Sequence, residues 1–181
     1  MKFKCYDKND RPDEMTFKMF YSLLDRVLER NEHRSCERQY ELFENNYYNL
    51  LYVYDNDKYT GSLAYWDLGD LCFVEHLCVE PESQSNGYGS QLLGYVENKL
   101  HVPVVLEVEP AGTYVTDRRI RFYERCGFKL SPMEYWQMPL NDGDEPLRLS
   151  IMYTHDLNCK ELERFVSLIR KIVYKKDSEK N

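Results

Sequence analysis

The sequence predicts a mixed α/β fold with a mostly antiparallel central sheet flanked by helices. Three observations carry that expectation. Residues 50–54 and 59–66 are apolar segments rich in Tyr, Leu and Val, joined by Asp55-Asn56-Asp57-Lys58, and read as a β-hairpin. Pro103-Val104-Val105-Leu106-Glu107-Val108 is a short, nearly continuous apolar run of the kind that forms a buried strand, and an amphipathic segment precedes it. Antiparallel pairs at the start and a strand–helix–strand crossover in the middle define the class. At 181 residues the chain suits one domain, 1–181, around one core.

The elements follow in order. Phe17, Phe20, Tyr21, Leu24, Val27 and Leu28 recur at helical spacing and give one apolar face to a first helix after Pro12. Residues 31–46 are polar and charged, with some helical character. After the hairpin, Gly69-Asp70 turns the chain into a strand beginning near Phe73. A helix follows Gly89 and places Leu92, Leu93, Val96 and Leu100 on one face. Glu109-Pro110-Ala111-Gly112 ends the buried strand. Another helix runs from about Thr116 to Cys126, with Gly127 as its left-handed stop. Residues 128–130 and 147–153 are late strands, and 138–146, containing Asn141-Asp142-Gly143-Asp144, is a loop. Leu162, Phe165, Val166, Ile169 and Val173 form the face of a last helix, capped by Asn158 or Asp156. Residues 175–181 read as a charged, frayed tail. There is no internal repeat, linker or low-complexity segment.

Composition excludes several classes. No apolar run approaches the roughly 20 residues that a membrane span needs, so no membrane partner is expected. Met1-Lys2-Phe3-Lys4-Cys5 lacks the apolar core of a signal peptide, and a cytoplasmic location is the expectation. The six cysteines form no Cys-x-x-Cys pair and have no His cluster beside them, so no metal is expected. Cys72, Cys78 and Cys126 fall in apolar patterns and read as buried free thiols. A net charge of −7 argues against a nucleic-acid partner. It suits a cationic acceptor, and equally plain solubility.

The densest signal lies in residues 73–93: a strand, a turn with two glycines, and an amphipathic helix. Such a turn aims backbone N–H groups and a helix N-terminus at one point, a site for an anion. A Walker loop would need a Lys after its second glycine, where Gly89-Ser90-Gln91 has none. A dinucleotide fingerprint would need a third glycine, where the chain has Leu92. The spacing present is Gln-x-x-Gly-x-Gly, as Gln84-Ser85-Asn86-Gly87-Tyr88-Gly89. A second landmark is Arg121-Phe122-Tyr123-Glu124-Arg125-Cys126-Gly127-Phe128, with Leu106-Glu107-Val108 between the two.

Together these resemble the GNAT superfamily of acetyl-CoA-dependent N-acetyltransferases, specifically over residues 47–130, and within it a generically described bacterial subgroup. The resemblance implies a sheet whose middle strands splay apart, acetyl-CoA as co-substrate, and a small-molecule or peptide amine as acceptor, acetylated by direct attack in a ternary complex. A homodimer is compatible with it. It implies that the backbone of Gln84, Ser85, Asn86, Gly87, Tyr88 and Gly89 holds the CoA pyrophosphate, with Ser90 at the helix start. The main chain of Leu77, Cys78 and Val79 would pair with the pantetheine arm, and Tyr123 would sit near the sulfur. The sequence departs from the family at Thr116 and Arg119, where many members carry an Asn and a small residue.

Acetylating an amine requires removing a proton from a group with a pKa near 10.4. Glu75, interrupting an apolar strand, is the first candidate base, and Glu107 the second. Glu75 also reads as a buried structural carboxylate paired with an Arg or Tyr, and Glu107 as a residue that shapes or charges the acceptor pocket. In a regular strand His76 points to the face opposite Glu75; a bulge would change that. Tyr123 is a candidate acid for the departing thiolate, or an anchor of helix to sheet through its ring. A backbone N–H at Leu77 or Val79 would hold the oxyanion. Tyr47, Tyr48, Tyr65, Trp66, Tyr114, Tyr135 and Trp136 are candidates for an aromatic acceptor cleft or for core. The rival to an enzyme is a regulatory module that binds acyl-CoA without catalysis.

Overall fold

The computed structural model describes residues 1–175. The fold is mixed α/β and mostly antiparallel, as the sequence predicts, with eight strands and five α-helices among the described residues. The chain divides into two compact units, Met1–Val102 and Pro103–Asn181.

The first unit contains β1 (Lys2–Tyr6), α1 (Glu14–Val27), α2 (Cys36–Glu41), β2 (Tyr48–Asp55), β3 (Lys58–Asp67), β4 (Cys72–Val79) and α3 (Tyr88–Leu100). Its strands run β1-β2-β3-β4, each antiparallel to the next. The β2–β3 hairpin closes on Asn56 and Asp57 at φ 49° and 60°, the left-handed pair that matches strand twist. Asp13 caps α1 by accepting from the Thr16 N–H at 2.8 Å. The helix then buries Phe17, Phe20, Leu23 and Leu24. Phe17 and Phe43 lie 6.3 Å apart, Phe43 and Tyr48 5.2 Å, and Tyr48 and Trp66 5.3 Å, all edge-on, so a chain of rings joins the helical segment to the strands.

The second unit contains β5 (Val104–Val108), α4 (Tyr114–Arg125), β6 (Lys129–Leu130), β7 (Tyr135–Gln137), β8 (Leu147–Tyr153) and α5 (Cys159–Ile172). Strand β8 pairs antiparallel with β5, β6 and β7. Helix α4 ends at Gly127, φ 88°, with the Gly127 N–H on the Glu124 carbonyl and the Phe128 N–H on the Tyr123 carbonyl. These two bonds make the Schellman stop that the glycine foretold. Asn158, not Asp156, caps α5, sharing a capping box with Glu161. Leu162, Phe165, Val166 and Ile169 are buried beneath it. Residues 176–181, most of the tail read as frayed, lie outside the described residues.

Two strands escaped the sequence, and the helical character of residues 31–46 takes a more divided form than the sequence showed. Lys2–Tyr6 alternates charge and apolar side chains over only five residues, and its pairing with β2 makes it a strand. Tyr135–Gln137 is three residues long and owes its form to β8. Residues 30–44 break into a 3-10 turn at Arg30–Glu32, helix α2, and a second turn at Leu42–Glu44. No described helix is long and apolar enough to cross a membrane.

Gly61 sets the spacing of β3 and β4. A Cβ there would meet the Cys78 carbonyl oxygen at 2.7 Å and the Val79 Cα at 3.1 Å, both backbone atoms that cannot swing away. Gly61→Ala is expected to lower the unfolding free energy by about 1–3 kcal/mol through this overpacking, measured by urea denaturation.

Candidate active site

The turn between β4 and α3 is built almost wholly from backbone. Glu80 donates its N–H to the Thr60 carbonyl at 2.9 Å, and a single 3-10 turn, Pro81–Ser83, follows. Ser85 and Gly87 take positive φ, 68° and 83°, which turns the chain sharply into the helix. Gly87 is the N-cap of α3 and offers no side chain to the first N–H groups, and the first turn contains no acidic residue. The Ser90 hydroxyl donates back to the Gly87 carbonyl at 2.9 Å. Residues 84–87 are exposed. This leaves a 13-residue helix with a bare positive end in a glycine-lined turn, which suits a phosphate. Arg26 clamps Glu80 with two bonds, at 2.9 and 2.8 Å, and the Tyr88 hydroxyl donates to Asp55 at 2.8 Å, fixing both flanks of the turn.

Upstream, Leu77, Cys78 and Val79 face Leu63, Ser62 and Gly61 of β3. Leu77 and Val79 are half-buried and Cys78 is buried. Cys72 is buried too, whereas Cys126 is only half-buried.

Glu75 sits where β4 bulges. Ala64 faces His76 and Tyr65 faces Val74, so Glu75 is the extra residue that no β3 residue matches. The alternation is thereby broken, and both Glu75 and His76 turn inward. Their side chains are 2 % and 4 % exposed, and His76 Nε2 stands 4.0 Å from Glu75 Oε2. Arg34 donates to Glu75 Oε1 at 2.5 Å from a side chain only 7 % exposed. Glu75 is therefore the Arg-paired buried carboxylate that the sequence allowed. Glu75 Oε2, His76 Nε2 and the indole N–H of Trp66 are buried without a close, well-aligned partner, although the indole N–H lends the Glu75 carboxylate a weak hydrogen bond. Burial pushes the Glu75 carboxyl up, but the Arg34 guanidinium, together with His76 and the Trp66 indole N–H, outweighs it and holds the group below its ordinary range. Burial drives the His76 imidazole down to about 4, reinforced by Arg34 and His33 and opposed by Glu75. At neutral pH the pair is a carboxylate beside a neutral imidazole.

In the second unit, Tyr123 is buried on α4, its ring 5.1 Å from Phe122 and 5.7 Å from Phe128. Thr116 forms a capping box with Thr113, which engages its hydroxyl and backbone N–H in starting α4. Arg119 pairs with Glu109. Glu107 accepts from the hydroxyls of Tyr135 and Tyr174, the latter at 2.9 and 2.8 Å to its two oxygens. Arg170 lies over the Tyr135 ring at 5.8 Å.

The aromatic residues considered for an acceptor cleft divide sharply. Tyr48, Tyr65, Trp66 and Tyr135 are core, whereas Tyr47, Tyr114 and Trp136 are exposed. Sequence reasoning missed Arg34 and Tyr174. Arg34 lies 41 residues from its partner in a segment without periodicity, so no local signal marks it.

A family model for the acetyltransferase (GNAT) domain matches residues 23–130. No curated protein matches the sequence. A protein from Bacteroides thetaiotaomicron assigned to the GNAT acetyltransferases is similar over 98 % of this chain and 100 % of its own, with a TM-score of 0.86 and 28 % identity. An aminoglycoside 6′-N-acetyltransferase complexed with coenzyme A is similar over 85 % of this chain and 96 % of its own, at a TM-score of 0.59 and 16 % identity. A variant spermidine N-acetyltransferase from Vibrio cholerae is similar over 91 % and 99 %, at 0.59 and 17 %. The last two likenesses are of fold.

Because His76 is held neutral by burial, unfolding lets it take up a proton between its unfolded value near 6.5 and about 4. Its contribution is present above pH 6.5 and is lost as pH falls through that window, on the order of 3 kcal/mol in all. Urea denaturation of wild type and His76→Gln at several pH values is expected to show a flatter decline in the variant between pH 6.5 and 4.

Proposed function

The chain belongs to the GNAT acetyltransferase family, and from that premise we propose that it transfers acetyl from acetyl-CoA to a primary amine of a small molecule or peptide by direct attack in a ternary complex. The observation that carries the reading is the turn at 84–90. Its exposed backbone, left-handed Gly87 and uncapped helix start suit the pyrophosphate of CoA. We assign that role to Gln84, Ser85, Asn86, Gly87, Tyr88, Gly89 and Ser90, and pairing with the pantetheine arm to the main chain of Leu77, Cys78 and Val79. The net charge of −7 suits a cationic acceptor such as a polyamine or aminosugar.

Acetyl-CoA, when bound, supplies a thioester carbon open to attack by a neutral amine. Glu75 takes one proton from the acceptor ammonium, directly or through a water, and later releases it to solvent. A backbone N–H of Leu77 or Val79 holds the developing oxyanion as the C–N bond forms. Tyr123 gives its phenolic proton to the sulfur as the C–S bond breaks. It regains one from the new amide nitrogen, so that one proton per turnover reaches solvent. Glu107 is the weaker base, because two tyrosine hydroxyls already engage its carboxylate. The rival reading is a CoA-binding module without catalysis. It draws support from the Glu75 side chain, which is closed in by Arg34.

Calorimetry with acetyl-CoA is expected to show binding; its absence would remove both readings. Gly87→Val puts a β-branched residue at φ 83° and is expected to weaken that binding at least tenfold. Tyr123→Phe is expected to lower turnover by about two orders of magnitude while leaving acetyl-CoA affinity within a few-fold, read from thiol release against a panel of amines. Release at background with every amine favours the module.

A further inference from the structure

We propose that Arg34 is a positioning residue for Glu75: it occupies Oε1, supplies the countercharge inside the core, and leaves Oε2 as the edge that accepts the proton. The inference rests on Glu75 being the base proposed above. Four observations converge on it. The Arg34–Glu75 bond is 2.5 Å long between side chains 7 % and 2 % exposed. Glu75 Oε2 is buried without a close, well-aligned partner, so Arg34 at Oε1 is the strong tie of the carboxylate and the Trp66 indole N–H a weak one. Arg34 is itself pinned, since its carbonyl accepts from the Tyr21 hydroxyl at 3.1 Å and from the His33 Nδ1–H at 3.0 Å. The bulge at Glu75 gives the side chain its inward direction independently of Arg34.

The chemistry explains why such a partner is needed. A carboxylate removed from water favours its protonated form, and a protonated Glu75 cannot take a proton from an ammonium. Among the described residues, Arg34 is the one guanidinium or ammonium that acts on the Glu75 carboxyl. His76 beside it on β4 is held neutral, Trp66 on β3 offers a neutral N–H, Tyr48 on β2 is a phenol whose own proton is held by burial, and His33 faces Arg34 from the same segment. Arg34 carries the compensating charge, and its guanidinium stays protonated at any working pH. It touches neither acceptor nor thioester in this scheme. It acts through the carboxylate.

The test is a titration of the Glu75 side-chain carboxyl by carbon-13 NMR in the full chain, with Glu75→Gln identifying the resonance. Wild-type Glu75 is expected to titrate below the ordinary 4.5. Arg34→Gln is expected to raise that midpoint by at least about one unit, and Arg34→Lys, which keeps the charge, to restore most of the difference. Should Arg34→Gln fail to fold, the wild-type midpoint and the Arg34→Lys midpoint still decide. A wild-type Glu75 that titrates at or above 4.5, or a midpoint unmoved in a folded Arg34→Gln, overturns the role of Arg34. The base assignment is judged apart from this. Glu75→Gln that binds acetyl-CoA and acetylates amines at the wild-type rate removes it, whatever the titration gives. With both standing, the acid limb of turnover in Arg34→Gln moves to higher pH by the same interval as the midpoint.

Discussion

Strand β4 is one residue longer than its partner can match, and the surplus residue is Glu75. A regular strand would send Glu75 and His76 to opposite faces, one inward and one outward. The bulge sends both inward, where neither can be hydrated. Isolated burial of a carboxylate costs several kcal/mol, so the first unit must supply a cation at that point. Arg34 is that cation, and its place dictates much else. The segment between α1 and α2 must lie over the strands, Tyr21 and His33 must hold its backbone, and the ring chain from Phe17 to Trp66 fills the space between.

The glycine turn depends on a different physics. Its shape comes from backbone conformation, with Gly87 in the left-handed region and the α3 N-terminus left uncapped. The ion pairs at its flanks are modest contributors, since Arg26 is more than half exposed, and such pairs contribute roughly 0–1 kcal/mol. Their role is to fix where the turn stands relative to α1 and the hairpin. Gly61 performs the matching task inside the sheet, letting β3 approach the segment that leads into the turn.

The two candidate carboxylates are separated by their surroundings. Glu107 is engaged at both oxygens by the Tyr174 phenol and at one by the Tyr135 phenol, and so ties the chain just after α5 to β5 and β7. Glu75 is engaged strongly at one oxygen by a guanidinium and otherwise only weakly, by the Trp66 indole N–H. Two glutamates on apolar strands looked alike in the sequence. Their partners, not their own strands, set them apart.

What could be read from the sequence was local. The spacing of Phe17, Phe20 and Leu24 and that of Leu162, Phe165 and Ile169 fix two helices, Gly127 stops a third, and Asn56-Asp57 closes the hairpin, because each signal acts within a few residues. The turn at 84–90 belongs to this group, since its glycines and helix start are neighbours in the chain. The sequence alone therefore determined the class of fold and the place of the glycine turn. Tertiary structure decided the rest. Strands β1 and β7 exist through pairing partners 44 or more and about a dozen residues away. Tyr48, Tyr65, Trp66 and Tyr135 became core while Tyr47, Tyr114 and Trp136 stayed exposed. The register slip that turns Glu75 inward, and the arginine 41 residues earlier that answers its charge, arise only when strands align and burial removes water. Desolvation is a property of the folded surroundings, and no window of sequence contains it.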